Sequence, residues 1–97
     1  MGSGPLTPDS VVARFSVVFG PAAAAGRSWQ WEIPCRGRPD RSMSVTLRPI
    51  GTDQWVDVLI VDGCDPPRSS VFSMRIDSER RLEEALRIVH ARAEARA

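Results

Sequence analysis

The feature that most limits what this chain can fold into is an alternation of apolar and polar residues, repeated over four short segments. Trp29, Trp31 and Ile33 alternate with Ser28, Gln30 and Glu32, and Met43, Val45 and Leu47 alternate with Ser44, Thr46 and Arg48. Val56, Val58 and Ile60 continue the series, followed by Phe72, Met74 and Ile76. A period of two puts one set of side chains on one face of a sheet. Strands are therefore expected over 28–33, 43–48, 55–62 and 70–76.

Helical signals flank these segments. Thr7 suits a cap, Pro8 the first helical position and Asp9 the positive helix end. Val11, Val12, Phe15, Val18 and Phe19 then fall on one side at helical spacing, and Gly20-Pro21 ends the run. Ala13, Phe15, Val17 and Phe19 also alternate in a stretch rich in valine and phenylalanine, so a strand competes with the helix here; the helix is preferred. At the other end, Asp77 or Ser78 caps a helix with Glu79 in its first turn. Its apolar stripe is Leu82, Leu86, Val89 and Ala93, widened by Ala85 and Ile88. Ala22 to Ala25 reads as a linker, and the Pro-, Gly- and Arg-rich stretch 34–42 as a loop.

The expected fold is α+β: a curved four-stranded antiparallel meander with an N-terminal and a C-terminal helix, in the order α-β-β-β-β-α. If 11–19 is a strand instead, the sheet has five strands and one covering helix. Residues 1–6 read as a flexible leader and 7–97 as one domain.

Composition narrows the function classes. The formal charge of +1 gives no field to draw nucleic acid. All thirteen basic residues are arginine, so no lysine serves a Schiff base or a phosphate-binding loop. No apolar run approaches the ~20 residues of a membrane span. With two cysteines and a start unlike a signal peptide, free thiols in a reducing cytoplasm are the expectation.

Two regions stand out as candidate sites. The first is the sheet face opposite the tryptophan-bearing core side. It is mixed: Gln30, Glu32, Ser44, Thr46, Arg48, Asp57, Ser73 and Arg75 are polar, yet Trp55, Leu59, Val61 and Val71 share that face. Such a cluster marks a contact: either the first segment, the alanine patch or the tail folds over it, or a second subunit does, and a homodimer is expected, symmetric pairing being the commonest way to cover it.

The second is one end of the sheet. In a meander the loops after the first and third strands leave from the same end. They carry Cys35, Arg36, Arg38, Asp40 and Arg41 on one side, and Asp62, Cys64, Asp65 and Arg68 on the other. His90, ~20 Å along the final helix from its start, returns to that end.

Cys35, Cys64 and His90 lack the spacing of a zinc motif, so no metal or cofactor is assigned. Cys35 beside Arg36 is the better thiolate, but no orienting residue or oxyanion feature accompanies His90, so no catalytic residue is assigned. Arg36, Arg38 and Arg41 suit a small anion. Nucleic acid is not expected, since Trp29 and Trp31 belong to the core side and no phosphate cradle is present.

The sequence thus points to a small soluble, non-catalytic binding or adaptor domain that self-associates through the mixed face. The alternative is a small-molecule or anion-binding protein, or a minor enzyme, using the loop edge around 35–41 and 62–68. The candidate ligand residues are Arg36, Arg38, Arg41, Trp55, Leu59, Cys64 and His90.

Overall fold

The computed structural model describes residues 6–35, 37–50, 55–63 and 70–94. The elements run α1 (Pro8–Phe19), β1 (Ala23–Ala25), β2 (Ser28–Cys35), β3 (Arg38–Ile50), β4 (Trp55–Asp62), β5 (Ser70–Ile76) and α2 (Glu79–Glu94). The strands form one antiparallel sheet in sequence order, a meander of five strands. Both helices pack on the same face.

The helices start where their caps dictate. The Thr7 hydroxyl accepts from the Ser10 N–H at 3.2 Å, and the Ser10 hydroxyl accepts from the Thr7 N–H at 3.0 Å, a reciprocal capping box with Pro8 at the first helical position. These contacts favour the helix over the competing strand at 11–19. At α2 the Ser78 hydroxyl accepts from the Arg81 N–H at 3.2 Å.

The sheet differs from expectation in two places. The alanine run is no linker: Ala23–Ala25 pairs with Ser28–Gln30 and supplies the fifth strand. The stretch 34–42 is no open loop: β2 continues to Cys35, and β3 begins at Arg38. Both changes have one physical cause. Gly26 (φ 64°) and Gly37 (φ 78°) adopt the positive φ that a tight hairpin turn needs, so the chain reverses without a long connection. Pro34 is accommodated because the register shifts at Pro34/Cys35, a bulge where a ladder donor is not required.

The core is the alternation made physical. Trp31, Cys35, Met43, Val45, Leu47, Val56, Val58, Ile60 and Ile76 are buried on the inner sheet face. Val11 and Phe15 of α1, and Leu82, Ala85 and Val89 of α2, close over them. Full burial of each large aliphatic or aromatic side chain stabilises by about 1.5–3 kcal/mol. The Trp31 ring lies 5.4 Å from that of Phe15, and its Nε1–H donates to the Gly20 carbonyl at 2.8 Å, so the sheet also fixes the end of α1. Arg14 and Glu79 join α1 to the start of α2 at 3.1 Å.

Candidate functional site

The outer face of the sheet follows from register. Residues directly opposite one another in an antiparallel ladder point to the same side. One row reads Glu32, Ser44, Val61, Val71 across β2 to β5; the next reads Gln30, Thr46, Leu59, Ser73. Arg48, Asp57 and Arg75 form a third row on β3 to β5, and Ile50 pairs with Trp55 beyond it. Ala23 extends the second row onto β1.

The polar groups of this face largely serve one another. Arg48 Nη2 meets Asp57 Oδ2 at 2.7 Å. Gln30 Nε2 donates to Ser44 Oγ at 3.2 Å, and Ser42 Oγ donates to Glu32 Oε1 at 2.7 Å. The Arg75 guanidinium lies 5.6 Å from the Trp55 ring centroid, a cation–π contact. The apolar groups have no such partners among the described residues. Val71 is 67% exposed, Trp55 41% and Val61 37%, with Leu59 half-buried between them. Polar pairing lowers the cost of drying the surface, and the apolar groups gain from it.

Trp55 and Leu59 therefore share the outer face of β4, separated by Asp57. His90 is exposed on α2, which packs against the opposite face, so the fold does not bring it to Trp55 and Leu59. The last turn of α2 does return to the end of the sheet holding Asp62: Arg92 Nη1 lies 3.5 Å from Asp62 Oδ2, and its guanidinium sits 5.5 Å from the Phe72 ring centroid. Arg41 is exposed and lies 3.7 Å from Asp40. It shares a depression of about 270 Å³ with Glu32, Pro34, Asp40 and Ser42, where two carboxylates face one guanidinium. Arg38 belongs to β3 by its backbone, and Arg36 and Cys64 lie outside the described residues.

The thiol expectation needs correction. Cys35 is 3% exposed on the inner face and disulfide-bonded. The chain's one other cysteine is Cys64. A bonded, buried sulfur is no nucleophile or metal ligand. The physical reason is topological: antiparallel order returns the ends of β2 and β4 to one pole. Among the described residues, no three or more of His, Cys, Asp and Glu converge as a metal-binding group.

A separate cleft of about 360 Å³ opens on the helix-bearing side, lined by Pro8, Asp9, Arg27, Trp29 and Pro49. No helix among the described residues is long and apolar enough to cross a membrane. Comparison with protein-family models, with curated proteins and with solved structures gave no significant match.

Proposed function

We propose that this chain is a small, non-catalytic binding or adaptor domain that self-associates through the outer face of its sheet. The observation that carries this is the set of exposed Trp55, Val61 and Val71 around a half-buried Leu59, on a face that neither helix packs against. Exposed apolar groups clustered on a face whose polar groups are already paired favour a dry contact, and a second copy is the simplest occupant. The inner face holds both helices; α1 also exposes Val17 and Val18, but these two neighbours on one helix do not form a row across strands as the outer-face groups do.

A small anionic ligand at the loop edge gains less support from Arg41, whose surroundings are acidic. The disulfide at Cys35 favours an oxidising compartment over the cytoplasmic setting expected from sequence.

The test is sedimentation of the chain from about 1 to 100 μM, the range in which a contact worth about 6–8 kcal/mol becomes populated. The wild type is expected to dimerise with rising concentration, and Leu59→Arg to remain monomeric with an unchanged far-UV spectrum. A wild type that stays monomeric throughout overturns the proposal.

A further inference from the structure

The outer face carries opposite charges at opposite corners. Glu32 sits on β2 in the row that ends in Val71 on β5, and Arg75 lies four residues beyond Val71 on the same strand. Both are exposed. Three inter-strand steps make ~14 Å across the sheet, and four residues make ~13 Å along it. The Glu32-to-Arg75 diagonal therefore runs at about 45° to the strands. Its midpoint falls between Thr46 and Leu59.

From this we infer that the self-association proposed above, on which this step rests, uses a two-fold axis lying in the plane between two outer faces and perpendicular to that diagonal. Such an axis exchanges the two corners, so each Glu32 meets the partner's Arg75. It also turns the strands of one sheet to cross those of the other at roughly 90°, one of the two preferred sheet-on-sheet packings.

The same axis places residues that did not enter its choice. It passes close to Val71 and between Leu59 and Val61 on the strand spacings used above. Val71, the most exposed apolar group of this face, thus meets the partner's Val71. Leu59 and Val61 lie beside their own mates along the axis. Trp55 is carried beyond β2 and over the partner's Ala23, an exposed alanine that leaves room for an indole. One operation thus matches the two corner charges, the aliphatic groups and the large-to-small pair. The face is complementary to itself, and a second copy is the partner it fits.

A charge-swap cycle tests the geometry. Glu32→Arg alone and Arg75→Glu alone are expected to weaken dimerisation at least tenfold, and the double swap to restore it to within about threefold. Arg75→Glu puts a second carboxylate opposite Asp57. Glu32→Gln and Arg75→Gln provide a parallel cycle without that strain, in which the second substitution costs little once the first is made. A wild type that dimerises, responds to Leu59→Arg, and shows no coupling in either cycle overturns this axis while leaving the face contact standing. A monomeric wild type, or a dimer indifferent to Leu59→Arg, overturns both.

Discussion

Replacing Trp31 by phenylalanine probes the division of the sheet into a buried and an open face, because Trp55 provides an internal contrast. Trp31 is 3% exposed, contacts Phe15 at 5.4 Å and donates to the Gly20 carbonyl at 2.8 Å. Phenylalanine keeps an aromatic ring but leaves a void of about 40 Å³, which at about 24 cal/mol per Å³ costs about 1 kcal/mol. The lost hydrogen bond adds about 0.5–1.5 kcal/mol, the cost for an acceptor that water can reach, since Gly20 is half-buried. The sum is about 2 kcal/mol, or a fall of about 8–16 °C in Tm for a chain of this size. Trp55→Phe removes a side chain 41% exposed, whose contact with Arg75 is of the exposed cation–π kind. Its cost should stay below about 1 kcal/mol. Urea unfolding followed by circular dichroism, at about 1 μM to keep association out of the comparison, measures both. Equal losses for the two variants, or a loss below about 0.5 kcal/mol for Trp31→Phe, refute the face assignment.

Two more outcomes follow from the end of the sheet. A Cβ at Gly63 would stand 2.7 Å from the Ser42 carbonyl oxygen, a backbone atom, so Gly63→Ala is expected to destabilise by about 1–3 kcal/mol in the same assay. Reduction of the disulfide at Cys35 is expected to cost about 2–4 kcal/mol. Thiol titration of the denatured, unreduced chain should find no free thiol, and finding two would remove the bond from the account.

Much of the fold was legible because the inner face is uniform. Trp31, Val45, Val58 and their neighbours alternate without interruption, and burial on one side leaves a single register that hides them all. The caps at Thr7 and Ser78 were legible for a similar reason: each is local and uses its own neighbours. The fifth strand was not legible. Ala23–Ala25 has little strand preference, and it pairs only because Gly26 lets the chain turn back on Ser28. The hairpin at Gly37 was hidden by Pro34, Pro39 and the arginines, whose composition resembles a loop while their backbone continues the ladder. The disulfide at Cys35 was not legible, because a sulfur–sulfur bond needs a distance that strand order alone does not supply. On the outer face the apolar members were visible in the alternation. Their arrangement relative to Arg48, Asp57 and Arg75 depended on a register that only pairing fixes.

The most direct test of the outer face as the working surface is methyl-resolved solvent relaxation of the wild-type chain with a soluble gadolinium chelate, in dilute and concentrated samples. The account predicts strong relaxation of the Leu59, Val61 and Val71 methyls when dilute and their shielding when concentrated, with Val45 and Val58 silent in both. Methyls of Leu59, Val61 and Val71 that remain equally accessible at every concentration would contradict it, as would strong relaxation at Val45 or Val58.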